Sequence, residues 1–105
     1  MRVEVLVVPD CPHEPQAVQL LRTALDDIGL ARLQPLVRVI ASTNAAEEEG
    51  FAGSPTFAVD GQDLFPPSQP IAAMACRLYD GPGGLPALRD LRQVLKQAAA
   101  LATST

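Results

Sequence analysis

Two valine-rich runs separated by a helical segment constrain the fold of this chain more than any other feature. The runs are 2–8 (RVEVLVV) and 35–41 (PLVRVIA), and both are rich in the β-branched residues that favour strands. Between them, apolar residues recur with the spacing of an amphipathic helix, which Gly29 ends. These residues are Ala17, Val18, Leu21, Ala24, Leu25 and Ile28. Strands joined through a helix are expected to be parallel, with a right-handed crossover.

The second half of the chain predicts a short helix, a hairpin and a last helix. Residues 42–44 (STN) favour a helix start, and Gly50 ends that helix. The predicted hairpin has strands 56–59 and 62–65, joined by the Asp-Gly turn at 60–61. Pro86 begins the last helix, whose apolar positions are Leu88, Leu91, Val94, Leu95, Ala98 and Leu101. The segment 71–80 fits either a helix or an extended cover.

The predicted order of elements is therefore β-α-β-α-β-β-α. This order gives an α/β fold with a mixed four-stranded sheet and helices on both faces. The 105 residues suit a single domain, 1–105, in which the tail 102–105 is expected to fray.

Charge and composition argue against several classes of partner. The net charge of −4 and the aromatic content of 4% disfavour nucleic-acid binding and anionic membranes. The first apolar run is broken by Glu4 and Pro9, so it is not a signal peptide. No stretch approaches the roughly 20 apolar residues of a membrane span. We therefore expect a cytoplasmic protein with no nucleic-acid or membrane partner.

The chain has two cysteines, and both are candidates for chemistry. Cys11 follows the first predicted strand and precedes the first predicted helix. A cysteine near a helix start lies close to free backbone N–H groups, which favour the reactive thiolate. A protonated His13 would add to this effect, whereas the Glu14 carboxylate would oppose it, so the sequence leaves the net direction open. Cys76 lies among apolar neighbours in the segment 71–80. In the cytoplasm, such cysteines are more often reduced or transiently oxidised than structural.

Two motifs carry a resemblance to a known fold. The first is Cys11-Pro12 at the junction of strand and helix, and the second is FAGSPTFAVDG at 51–61. Together with the order of elements, they resemble the thioredoxin-like fold over residues 1–65 and the last helix. More narrowly, the chain is similar to small bacterial thioredoxin-family proteins of undefined function that combine "CP", "GSPT" and a later "CRLY", here at 76–79.

The resemblance implies an arrangement around Cys11. Pro55 would follow a cis peptide bond and pack opposite Cys11, and the backbone of Ser54 would be free to pair with an extended peptide. Arg77 and Tyr79 could line the cleft, but the sequence favours a surface position for Arg77 and a packed position for Tyr79. The candidate catalytic residues are Cys11, as the nucleophile, and Cys76, as a possible resolving cysteine. The implied substrate-binding residues are Pro12, His13, Ser54, Pro55 and Thr56.

Glu14 departs from the dithiol pattern, because it stands where a resolving cysteine would be. Three interpretations remain open. Cys76 could supply the second sulfur, or Cys11 could act alone and be resolved by a small thiol such as glutathione or mycothiol, or by a partner's cysteine. Alternatively, Cys11 does no redox chemistry and the domain is a non-catalytic binding module. It could then be a homodimer that uses spare apolar positions of the last helix.

The leading hypothesis is a thiol-dependent redox protein in which Cys11 attacks a disulfide or similar electrophile of a protein or small molecule. No cofactor is expected, since an iron–sulfur cluster would require about four cysteines, and 81–84 (GPGG) is not a phosphate loop. A metal site built from Cys11, His13 and Cys76 is not favoured, because their spacing is not that of a metal site. Capture of a soft ion such as mercury stays open.

Overall fold

The computed structural model describes residues 1–67 and 74–103. The strands are β1 (Val3–Val7), β2 (Leu36–Val39), β3 (Thr56–Val59) and β4 (Gln62–Asp63). The helices are α1 (Glu14–Asp27), α2 (Thr43–Glu49) and α3 (Leu88–Thr103), and a single 3₁₀ turn (Pro82–Gly84) precedes α3. The predicted order of elements is confirmed, although α3 begins two residues after Pro86. Residues 104–105 of the predicted frayed tail lie outside the described part.

The four strands form one mixed sheet in the order β2-β1-β3-β4. Strand β1 pairs in parallel with β2, with Val5 opposite Val37, and antiparallel with β3, with Val5 opposite Phe57. The sequence prediction of an α/β protein with a parallel first pair and a later antiparallel hairpin is therefore confirmed.

Helices cover both faces of the sheet. One face packs against α1 and α3, and its core includes Val5, Val7, Leu21, Leu25, Phe57, Leu91 and Leu95. The other face packs against α2, and its core is Leu6, Ile40, Ala46, Phe51 and Ala58. Burial on both faces explains why the first strand is almost continuously apolar. Its one charged residue, Glu4, is buried and forms ion pairs with Arg2 at 3.1 Å and Arg38 at 3.2 Å.

The hairpin turns at Asp60 and Gly61, as predicted. Both residues have positive φ, 51° and 84°, which is the backbone that a two-residue primed turn requires. Strand β4 is shorter than the predicted 62–65. The Asp63 side chain accepts a hydrogen bond from the Phe65 amide at 2.8 Å, and this local turn ends the strand.

The helix boundaries follow the capping residues. Ser42 Oγ accepts a hydrogen bond from the Ala45 amide at 3.1 Å, and Gly50 ends α2. Helix α1 begins at Glu14, with His13 as its N-cap residue.

The segment 71–80, which the sequence left open between a helix and an extended cover, is not helical over 74–80, and 71–73 lie outside the described residues. Within the described ranges, no helix is both long and apolar enough to cross a membrane.

Candidate functional site

Cys11 lies in the turn that connects β1 to α1. It precedes the N-cap residue His13 by two positions, and its carbonyl oxygen accepts a hydrogen bond from the Glu14 amide at 3.3 Å. Asp10, just before it, has a φ of 59°, and this residue turns the chain into the site. The position at the strand–helix junction is as predicted, but Cys11 is only 6% exposed and belongs to the main core.

Ser54 contacts Cys11 directly. Its hydroxyl donates a hydrogen bond to the Cys11 sulfur at 3.0 Å and accepts one from the Val8 amide at 3.1 Å. Ser54 is fully buried, and it is followed by the cis Ser54–Pro55 peptide bond, the isomer that the resemblance implied. A single side chain therefore joins the end of β1, the cysteine and the segment before β3.

The backbone of Ser54 is already paired with another part of the chain. Its amide donates to the Ala75 carbonyl at 2.8 Å, and its carbonyl accepts from the Arg77 amide at 2.8 Å. These bonds form a parallel bridge between Ser54 and Cys76. The expectation that this backbone is free for an extended peptide is therefore wrong for this structure, because the chain's own segment occupies it. We call residues 74–80 the strap.

Arg77 anchors the strap to the hairpin. Its guanidinium forms an ion pair with Asp63 at 2.7 Å, and the two side chains are only 12% and 16% exposed. It also donates to the Thr56 hydroxyl at 3.3 Å and to the Phe65 carbonyl oxygen. The expectation of a surface arginine is therefore wrong. Asp63 and the Phe65 carbonyl draw the guanidinium inward, because a largely buried carboxylate needs a charged partner.

Tyr79 anchors the strap from its other end. Its hydroxyl donates to the Pro55 carbonyl at 2.7 Å, and its amide donates to the Gly84 carbonyl at 2.7 Å. The ring packs edge-to-face on Phe57 and Phe65, with centroids 5.9 and 5.5 Å away. Burial raises the pKa of the Tyr79 hydroxyl above its ordinary value. The packed position predicted for Tyr79 is confirmed.

Gly53 allows the strap to approach this closely. A Cβ atom at this position would lie 2.8 Å from Arg77 Cβ and 3.2 Å from the Ala75 carbonyl oxygen. Its φ of 126° is also one that other residues rarely adopt. The glycine of the "GSPT" stretch therefore makes room for the strap.

Cys76 lies beside Ser54 and is exposed, whereas Cys11 is buried, and both thiols are free. Residues paired across neighbouring strands carry their side chains on the same face. The Ser54 side chain points to Cys11, so the bridge directs Cys76 to the Cys11 side of the strap. Arg77, the next residue, turns to the opposite side, toward Thr56 and Asp63.

The other predicted site residues are distributed around this centre. Pro12 is exposed and His13 is half-buried at the start of α1. Pro55 contacts the strap through its carbonyl oxygen. Thr56 is buried and donates to the Gly53 carbonyl at 2.6 Å, so its hydroxyl supports the strap instead of facing Cys11.

The site also includes Gly53 and Asp63, which the sequence did not indicate as site residues, and Arg77, for which the sequence favoured a surface position. Two features of the sequence could have indicated these contacts. Arg77 and Tyr79 are two residues apart, the spacing of side chains on one face of an extended segment, and the acidic Asp63 follows the hairpin turn closely. Among the described residues, no group of three or more His, Cys, Asp or Glu side chains is arranged to hold a metal ion.

Comparisons with known proteins find no family model, no curated protein and no solved structure that matches this chain. The function is therefore argued from the site's own chemistry. The site offers one buried thiol with a hydroxyl donor, and one exposed thiol on the adjacent segment.

Proposed function

We propose that this chain is a thioredoxin-like, thiol-dependent redox protein of the cytoplasm, in which Cys11 and Cys76 form the reactive pair. The order of the elements and the sheet order support the thioredoxin-like assignment. The cis peptide bond beside the cysteine-bearing turn supports it further.

One observation carries the proposal: Ser54 contacts both cysteine-bearing segments. Its hydroxyl donates to the Cys11 sulfur, and its backbone pairs with the strap at Cys76. The bridge therefore places Cys76 opposite Ser54, the residue whose hydroxyl contacts the Cys11 sulfur. A disulfide between the two cysteines needs their Cα atoms within roughly 7 Å, and we propose that they come this close when the pair is oxidised.

The reaction is a dithiol–disulfide exchange. One cysteine thiolate attacks an external disulfide, forms a mixed disulfide and releases one external thiol. The other cysteine then attacks its partner's sulfur, which releases the second external thiol and leaves an internal disulfide. The external disulfide is reduced by two electrons and the protein is oxidised by two. The sequence favours Cys11 for the first attack and Cys76 for the resolving role, but either order gives the same products.

The test is intact mass after oxidation with excess glutathione disulfide, with and without alkylation. The wild type is expected to lose two hydrogens and become resistant to alkylation. Cys11→Ser and Cys76→Ser are each expected to retain one alkylatable thiol or one glutathione adduct. If the oxidised wild type still has two alkylatable thiols or carries only adducts, the two-cysteine redox proposal is wrong.

The burial of Cys11 and the occupied backbone of Ser54 favour a second candidate, a non-catalytic thioredoxin-like binding module. A module of this kind needs no thiol chemistry and would keep its binding in Cys11→Ser. The homodimer that the sequence analysis left open is checked by sedimentation equilibrium of the wild type.

A further inference from the structure

The two cysteines differ in access, and this difference bears on the order of reaction. Cys76 is exposed on the strap, whereas Cys11 is 6% exposed and packs in the main core under the Ser54 hydroxyl. A disulfide must reach the attacking sulfur in line with its S–S bond, so access limits the rate of exchange. In this structure the exposed sulfur is that of Cys76.

The strap also excludes an extended polypeptide from the edge beside Cys11. Both backbone hydrogen-bonding groups of Ser54 are used by Ala75 and Arg77 at 2.8 Å. A polypeptide could pair there only after the strap had left. That would break the ion pair of Arg77 with Asp63 and the hydrogen bond of Tyr79 to Pro55. A small disulfide that reacts at the exposed Cys76 needs no backbone pairing with Ser54, so none of these contacts has to break.

We infer that the oxidising substrate is a low-molecular-weight disulfide, that the exposed thiol of Cys76 attacks it first, and that Cys11 then resolves the mixed disulfide. This inference rests on the proposed function, and it reverses the order that the sequence analysis expected. In the first step the Cys76 thiolate forms a bond to one sulfur of the substrate, and the other sulfur leaves as a thiolate. In the second step the Cys11 thiolate attacks the Cys76 sulfur, and the remaining small thiol leaves.

The position of Cys76 suits the second step. The bridge to Ser54 directs its side chain to the face on which Ser54 contacts Cys11. Because Cys76 is exposed, a substituent on its sulfur has room to extend toward solvent, and the small thiol can leave in that direction.

The experiment uses hydroxyethyl disulfide, which is small and uncharged, with acid quenching, intact mass and peptide mapping. In the wild type the earliest adduct is expected on Cys76, followed by the internal disulfide. Cys11→Ser is expected to accumulate the Cys76 adduct at the wild-type initial rate. Cys76→Ser is expected to form an adduct on Cys11 more slowly, by about tenfold or more. Cys11→Ala serves as a second variant if Cys11→Ser does not fold, and the mapping of the wild-type adduct needs no variant.

Substrate size is tested with an unstructured cysteine-containing peptide, supplied as its homodimeric disulfide. Rates for both disulfides are divided by their rates with free glutathione, which removes differences in intrinsic reactivity. The small disulfide is expected to react faster than the peptide by about tenfold or more. An equal or faster peptide reaction would overturn the assignment of substrate class.

The outcomes separate this inference from the proposed function. A first adduct on Cys11 in the wild type, followed by the internal disulfide, overturns the inferred order while the two-cysteine function stands. A stable Cys76 adduct that never converts to an internal disulfide overturns the proposed function itself.

Discussion

The Ser54 hydroxyl donates to the Cys11 sulfur at 3.0 Å, while the backbone of the same residue pairs with Cys76 across a parallel bridge. Ser54 therefore connects the two cysteine-bearing segments directly. A substitution that removes the Ser54 hydroxyl should therefore alter the chemistry of Cys11, whereas the backbone of Ser54 should still hold the strap.

Ser54→Ala is predicted to slow formation of the Cys11–Cys76 disulfide. A hydrogen bond to a charged group is stronger than one between neutral groups, so the hydroxyl holds the Cys11 sulfur during attack. Its loss should slow the exchange by about tenfold. The free energy of unfolding should fall by about 1–3 kcal/mol, because the Val8 amide loses its acceptor. Quenched intact mass gives the rate, and urea unfolding gives the stability.

Ser42→Ala is the matched control for this change. The Ser42 hydroxyl also accepts a backbone N–H bond, at the start of α2, but it makes no contact with either cysteine. Its loss should lower the free energy of unfolding by about 1 kcal/mol and leave the rate of disulfide formation unchanged. Equal rates for the two variants would show that the Ser54 hydroxyl has no part in the exchange.

Gly53→Ala is predicted to displace the strap. The added methyl group would lie 2.8 Å from Arg77 Cβ, at a φ of 126°. Strain and overpacking together should lower the free energy of unfolding by about 3 kcal/mol. Cys11 should become more reactive toward iodoacetamide, because displacement of the strap uncovers the edge beside it. Peptide mapping after alkylation measures this at Cys11 alone.

Gly29→Ala controls for backbone strain without a clash. Gly29 has a φ of 80°, and nothing lies within 4 Å of its added Cβ. This variant should lose about 1–2 kcal/mol of stability with no change in the alkylation rate of Cys11. If Gly53→Ala leaves Cys11 as protected as Gly29→Ala does, the strap does not cover the cysteine.

Arg77→Ala is predicted to cost stability through an unpaired, largely buried Asp63 carboxylate. We expect the free energy of unfolding to fall by about 2–3 kcal/mol, less than for a fully buried pair because both side chains are partly exposed. Arg89→Ala is the comparison, since Arg89 pairs with Asp90 at 3.3 Å but is 81% exposed. Its loss should cost less than about 0.5 kcal/mol. Similar losses in urea unfolding would contradict the anchoring role of Arg77.

The sequence predicted those parts of the fold in which local pattern and burial agree. The valine runs, the Asp60-Gly61 turn and the helix start at 42–44 are each specified by neighbouring residues, and the structure has all three. The strap could not be predicted in the same way. Its conformation is set by the Ser54 backbone and by Asp63, both more than ten residues away in the sequence. The burial of Arg77 depends on these distant partners as well.

Tyr79→Phe is predicted to abolish a loss of stability that the wild type undergoes as the pH becomes alkaline. The pKa of the Tyr79 hydroxyl is raised by burial, whereas in the unfolded chain it is about 10. Above that pH the folded protein binds more protons than the unfolded chain, so the free energy of unfolding falls as pH rises. Tyr79 is the only tyrosine in the chain, so tyrosinate absorbance follows its ionisation directly.

At neutral pH the free energy of unfolding of Tyr79→Phe should be lower than that of the wild type by about 1 kcal/mol, the value of the hydrogen bond to Pro55. Urea unfolding of both proteins under reducing conditions, from about pH 9 to about pH 11, isolates the effect, because every other titrating group is shared. The difference in stability should shrink and then reverse as the pH rises. Parallel curves would show that the hydroxyl titrates freely and is not held against Pro55.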